Sequence, residues 1–184
     1  MTAALALTLN ALGLYAIALV LTVAFAAQLI LHELPCPLCL LQRIQFALLA
    51  VGPVLNVRFG PRPSHYALSL FVAAAGAAFA MRQVLLHIMP GDPGYGSALL
   101  GYHYYTWAFI GFAVAIVALA AMLSFDGQFA GDKPPVTASA FARTAVWLVI
   151  ALSALNVVAT LLECGFAACP DDPAGYELLR VVVL

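Results

Sequence analysis

Apolar residues run along this chain in five long stretches, at roughly 10–32, 40–57, 66–88, 103–124 and 142–162, separated by short polar breaks. A helix needs about 20 mostly apolar residues to cross the hydrocarbon core of a bilayer, so the pattern predicts five transmembrane helices. The breaks carry turn formers: Pro35 and Pro37, then Gly60 to Pro63, then Pro90 to Gly94, then Gly131 to Pro135. Because each break is short, successive helices run antiparallel. The expected fold is an all-α integral membrane helical bundle, a single transmembrane domain over residues 1–184 with an external C-terminal tail at 163–184. Ala24-Phe25-Ala26 could pass for a leader cleavage site. The apolar run around it is too long for an ordinary leader and no Lys or Arg precedes it, so the first stretch is expected to be a retained span.

Composition strengthens this picture. Hydrophobic residues make up 65% of the chain, charged residues 8%, and the mean hydropathy is +1.06, well beyond a soluble domain. Seven Lys+Arg against eight Asp+Glu leave no basic surface, which excludes nucleic-acid binding as a function class. The few charges orient the bundle, because positive residues are retained on the cytoplasmic side. Arg58 and Arg62 lie in the second break, and Lys133 and Arg143 in or beside the fourth. The opposite breaks hold mainly Glu33, Asp92, Glu163, Asp171 and Asp172. The N-terminus is thus expected in the cytoplasm and the C-terminus outside, with all four cysteines on the external face.

The candidate chemistry begins at Cys36-Pro37-Leu38-Cys39, a C-x-x-C opening a helix, where backbone N–H groups and the helix dipole stabilise a thiolate. Arg43 follows Cys39 by one helical turn, so its cation favours the thiolate further. Arg at a membrane boundary also snorkels toward water as a matter of course. A structural disulfide remains an alternative for the pair. Four external cysteines, with His32 to spare, could also form a zinc site. The C-x₄-C spacing of Cys164 and Cys169 and an oxidising compartment weigh against that, so no metal is expected.

The run Pro35-Cys36-Pro37-Leu38-Cys39-Leu40-Leu41-Gln42-Arg43 resembles the signature of the bacterial disulfide bond formation protein B family, DsbB. Met81-Arg82-Gln83-Val84 through His87, and Leu100-Gly101-Tyr102 through Trp107, are similar to further stretches of that family. The likeness covers about residues 10–124. It implies a four-helix core, here with a fifth span added, that oxidises a thioredoxin-like periplasmic protein of the DsbA type. It also implies that electrons pass to a membrane quinone, ubiquinone or menaquinone. By the same resemblance Cys39 is the quinone-facing sulfur, Cys36 its disulfide partner and Arg43 the quinone activator, with Arg82 and His87 as further quinone contacts. The implied enzyme is a disulfide-forming thiol:quinone oxidoreductase of the bacterial inner membrane. No haem C-x-x-C-H, dinucleotide glycine pattern or flavin motif offers another cofactor.

The chain departs from the family in one respect. Members usually carry a second cysteine pair between the third and fourth spans, and residues 88–103 contain none. Cys164 and Cys169 follow the fifth span instead, on the same face, where a tail free to move could carry them between a partner and Cys36–Cys39. Two rival readings stay open: a membrane thiol reductase of the vitamin K epoxide reductase type, and a non-enzymatic membrane subunit with two structural disulfides. The aromatic run Tyr102, His103, Tyr104, Tyr105 and Trp107 suits an interfacial belt as well as a quinone platform. Gly76 among alanines suits close helix packing, and the loop around Asp92 suits scaffold.

Overall fold

The computed structural model describes residues 1–129 and 138–179. Lys133 and the break at 131–135 lie outside the described residues. Within them, five helical segments are long and apolar enough to cross a membrane: Ala3–Ile30, Pro37–Phe59, Pro63–Leu86, Tyr104–Leu123 and Ala140–Cys164. Each expected span is present, with ends displaced by up to seven residues because caps and prolines, not hydropathy, set where a helix stops.

Helix α1 (Ala3–Ile30) starts where the Thr2 side chain accepts from the Leu5 N–H and ends before His32, whose φ of 57° breaks the repeat. The second span divides into α2 (Pro37–Leu49) and α3 (Val51–Phe59). Pro53 has no N–H to offer the carbonyl four residues before it, that of Leu49. The Ser69 hydroxyl donates to this carbonyl at 2.8 Å from the third span, so the break is satisfied from outside the helix. Gly52 makes the approach possible, since a Cβ there would collide with the His65 carbonyl and the Ser69 hydroxyl.

Gly60, with φ of 87°, ends α3, and Pro63 opens α4 (Pro63–Leu86) at a first-turn position that needs no N–H. A small hairpin follows, pairing β1 (Ala98–Leu99) with β2 (Tyr102–His103). Leu100 and Gly101 both take positive φ at its turn, the geometry that matches strand twist in a two-residue loop. Helix α5 (Tyr104–Leu123) returns across the bundle, and α6 (Ala140–Cys164) starts at a Ser139 cap.

Helices α4 and α5 pack along their lengths, α2 and α3 pack on α4, and α6 packs mainly on α1. Phe46 of α2 stacks on Phe112 of α5 at 4.1 Å between ring centroids, with Gly76 of α4 leaving space for the Phe112 ring. At the end holding the second break, Asn10, Asn56, Tyr66 and Gln128 form a buried hydrogen-bonded chain from α1 through α3 and α4. The antiparallel order brings the C-terminal ends of α1, α4 and α6 to the same end as the N-terminal ends of α2 and α5. That end carries the cysteines.

Candidate functional site

Cys36 caps α2: its Sγ accepts from the Cys39 backbone N–H at 3.2 Å, and Pro37 fills the first helical position. A C-x-x-C placed on a cap and the first turn holds its Cα atoms close, here 5.0 Å apart in a Cys36–Cys39 disulfide. Cys36 is buried, and Cys39 lies half-exposed one step further along the helix.

Gln83 of α4 reaches the cystine from the side. Its Nε2 lies 3.2 Å from Cys36 Sγ and 3.5 Å from Cys39 Sγ, while its Oε1 accepts from Gln42 Nε2 at 2.7 Å. Gln42 therefore fixes which end of the Gln83 amide points at sulfur, with the N–H donors toward the cystine. The motif Met81-Arg82-Gln83-Val84 contained this residue, yet the expectation fell on Arg82. Successive helical residues point about 100° apart, so with Gln83 turned inward Arg82 faces outward. It borders a separate shallow groove with Met81 and Leu85. The structure does not bring Arg82 to the cystine.

Beside Cys39 a cavity of about 430 Å³ opens between α1 and α5. Leu19, Val20 and Val23 form one wall, Trp107, Ala108 and Ile110 the other, and Cys39, Gln42, Arg43 and Phe46 of α2 the floor. The 88–103 segment closes its outer end. Tyr95 donates to the Leu34 carbonyl at 2.8 Å, the Glu33 carboxylate accepts from the Ser97 N–H at 3.2 Å, and Trp107 Nε1 donates to the Leu99 carbonyl at 2.9 Å. Burial, reinforced by the negative charges of Asp172, Glu163 and Glu33, pushes the Tyr95 phenol up to about 12, which keeps it a neutral donor.

Arg43 is buried, only 8% exposed, so it does not snorkel to water. Nη1 donates to Gln28 Oε1 at 2.6 Å and Nη2 to the Ala24 carbonyl at 2.9 Å, with the guanidinium carbon 5.6 Å from the centre of the Phe25 ring. It shares the cavity with Cys39, as the one-turn spacing on α2 requires, while its hydrogen bonds run to α1. The opposite face of Gln28 meets the C-terminal part of the chain, where Nε2 lies 3.5 Å from Glu163 Oε2 and 3.3 Å from the Tyr176 hydroxyl. Glu163 is 1% exposed.

Cys164 is the last residue of α6 and is buried, joined to Cys169 across the turn at Gly165 with Cα atoms 4.6 Å apart. Packing of α6 on α1 and the contact between Gln28 and the Tyr176 hydroxyl place this segment against the bundle. His87 stands outside the cavity wall. Its Nδ1 pairs with Asp92 Oδ1 at 3.0 Å, and its ring stacks at 5.5 Å on Tyr105, whose other side faces His103 at 5.2 Å. Tyr105 lines the cavity, so His87 borders the site at one remove. Among the described residues no group of three or more His, Cys, Asp or Glu side chains is arranged to hold a metal. Gln28, Gln42 and Gln83 were not singled out from sequence, and Glu163 was read as an external charge beside Cys164, not as a site residue. Neutral amides have no motif of their own, and their only signal was polarity inside apolar runs.

Comparison with known proteins bears on these features. Residues 6–98, half of the chain, match the family model described as disulfide bond formation protein DsbB. A protein of Xanthomonas axonopodis pv. citri named disulfide bond formation protein B is 42% identical over 86 residues, covering 44% of this chain and 50% of that protein. Disulfide bond formation protein B 2 of Burkholderia lata is 40% identical over 85 residues, covering 46% and 50%. The matches thus span about half the length of the curated relatives. No solved structure matches. The matched segment carries the capped cystine, Arg43 and Gln83 on helices that cross a membrane several times, and the chain is a multi-pass membrane protein belonging to the DsbB family.

Proposed function

We propose that the protein is a thiol:quinone oxidoreductase of the bacterial inner membrane, reoxidising a thioredoxin-like periplasmic disulfide donor. One observation carries this reading: the cavity places a cystine sulfur and a buried guanidinium on the floor of an apolar cleft between two membrane helices. Its volume lies in the range of small-molecule sites, roughly 300–1,000 Å³. The lining fits a quinone in chemistry as well as size. Aliphatic residues of α1 and α5 suit the ring and the start of an isoprenoid tail, and Arg43 and Gln42 supply donors. When bound, quinone supplies a two-electron acceptor within the membrane.

The protein's own residues divide the remaining tasks. A reduced partner exchanges with Cys164–Cys169, and that pair exchanges with Cys36–Cys39, each time through a mixed disulfide. Electrons leave the chain at Cys39, the sulfur on the cavity floor. Arg43 stabilises negative charge developing there in a site from which water is excluded. The orientation that keeps Arg58 and Arg62 in the cytoplasm puts both cystines in the periplasm.

The test uses full-length protein in lipid, a reduced thioredoxin-like partner and a soluble quinone analogue, with quinone absorbance followed over time. Turnover that vanishes in Cys36→Ser and Cys39→Ser, in protein that still inserts, is expected. Quinone consumption above about a tenth of wild type in either variant removes the pair from the mechanism, since a hydroxyl cannot replace a thiol in the exchange.

A further inference from the structure

The fifth span brings a carboxyl group into the bundle where the established family match, over residues 6–98, does not reach. Glu163 is buried at the inner end of a hydrogen-bonded line. Its Oε2 faces Gln28 Nε2, Gln28 Oε1 accepts from Arg43 Nη1, and Arg43 borders the cavity beside Cys39. Among the described residues no direct ion pair joins Arg43 to an acidic side chain. Gln28 stands between the two groups, its oxygen toward the guanidinium and its amide N–H toward the carboxyl. An ionisable residue within a membrane span is expensive to insert and is a functional-site candidate by default.

A second observation concerns the same face of α6. Asn156 and Thr160 precede Glu163 by seven and three residues, spacings that keep all three on one side of a helix. Asn156 is 3% exposed, and its Oδ1, like the Thr160 hydroxyl oxygen, is buried without a hydrogen-bond partner. These two unpartnered polar atoms lie about one and two helical turns before Glu163 on its own helix. The groups around Glu163 are Gln28 from α1, Arg43 from α2 through Gln28, the Tyr176 hydroxyl of the C-terminal segment, which shares Gln28 Nε2 with it, and Tyr95 from the 88–103 segment, which feels its charge.

We infer that Glu163 is a positioning residue that governs the reactivity of Cys39, its ionisation setting how much of the Arg43 charge is available to the cavity. With Glu163 ionised, Arg43 is held toward α1 and its field at Cys39 is offset. With Glu163 protonated, the guanidinium is uncompensated and the Cys39 thiolate is stabilised. The inference rests on the reading of Cys39 as the cavity sulfur, yet it can fail independently of it.

Alkylation separates the two. In a Cys36→Ser background, which retains an oxygen at the α2 cap, the rate at which Cys39 reacts with iodoacetamide is followed against pH by mass spectrometry, with no quinone or partner present. Glu163→Gln keeps shape and hydrogen bonds and removes the charge. It is expected to raise the Cys39 rate at neutral pH several-fold and to flatten its pH dependence, whereas Glu163→Asp gives an intermediate rate. The effect is expected to vanish when Arg43 is replaced by Ala, a double-mutant cycle that isolates the coupling. Equal rates in parent and Glu163→Gln across the pH range, or an undiminished effect in Arg43→Ala, overturn the inference. If Glu163→Gln does not insert, Glu163→Ala, which removes the same charge with the side chain, must give the same rise, and an unaltered rate there is equally decisive. Absence of quinone turnover in wild type, with the alkylation effect intact, would count against the proposed function alone.

Discussion

Gln83 Nε2 donates toward Cys36 Sγ at 3.2 Å, so the third membrane span touches the sulfur that does not line the cavity. A donor aimed at sulfur favours negative charge there as a thiolate leaves. Gln83→Leu is therefore expected to slow exchange at Cys36–Cys39 about tenfold, equivalent to about 1.4 kcal/mol, and to leave Gln42 Nε2 without its acceptor. Stopped-flow reduction of the first cystine by a dithiol measures this. A wild-type rate would show that the Gln83 amide only packs.

Arg43 is held by one side-chain and one backbone acceptor, a forked arrangement that a point charge cannot reproduce. Arg43→Ala should weaken quinone use more than partner oxidation, and Arg43→Lys should restore part of the loss. Initial rates at varied quinone concentration, compared with single-turnover thiol exchange, distinguish the two steps. Unchanged quinone dependence in Arg43→Ala would remove the residue from that step.

Cys164–Cys169 closes a loop of few residues and so constrains the unfolded chain little. Against a redox role, Glu163 beside Cys164 and Asp171 and Asp172 beyond Cys169 disfavour thiolates there. The Cys164→Ser, Cys169→Ser double variant is expected to lose partner oxidation while Cys36–Cys39 still exchanges with small dithiols. Cys169→Ser alone should trap Cys164 in a mixed disulfide with the partner or with Cys36, detectable by mass spectrometry. Partner oxidation at the wild-type rate in the double variant would make the pair structural.

Asp92 is expected to make the 88–103 segment sensitive to acid. The Gly94 N–H, and after it the His87 side chain, hold its carboxyl below the ordinary value of 3.8. A carboxyl lowered on folding adds order that is complete above its unfolded value and lost as pH falls through the lower folded one. Hydrogen exchange in residues 88–103 should therefore accelerate below about pH 4 in wild type. In Asp92→Asn it should be faster at neutral pH with a flattened acid dependence. Identical profiles would mean that Gly94 is anchored by other contacts.

Much of the architecture was written in hydropathy, because bilayer thickness dictates helix length and leaves few alternatives. The division at Ala50 was not. It depends on the Pro53 ring freeing the Leu49 carbonyl and on Ser69, in another helix, capturing it. The nearness of Cys36, Cys39 and Arg43 could be read because a C-x-x-C opening a helix and an Arg one turn further on share a face. Gln28, Gln42 and Gln83 could not, since an amide gains meaning from the residue opposite and each finds its partner on a different span. Arg82 shows the limit of reading a motif without its helix phase: charge drew the expectation, and the neighbouring amide held the inward position.

The contact of Gln28 with Glu163 and Tyr176 also bears on biosynthesis. Membrane spans emerge from the ribosome in chain order, N-terminal first, so α1, α2, α4 and α5 are inserted while Gln28 still lacks both neighbours. The far side of Gln28 is covered only when α6 arrives and seats against α1. A nascent chain halted in the 124–139 connection would hold every helix of the cavity wall and an unfinished electrostatic setting at its floor. The last span to emerge thus supplies Gln28 with its remaining neighbours.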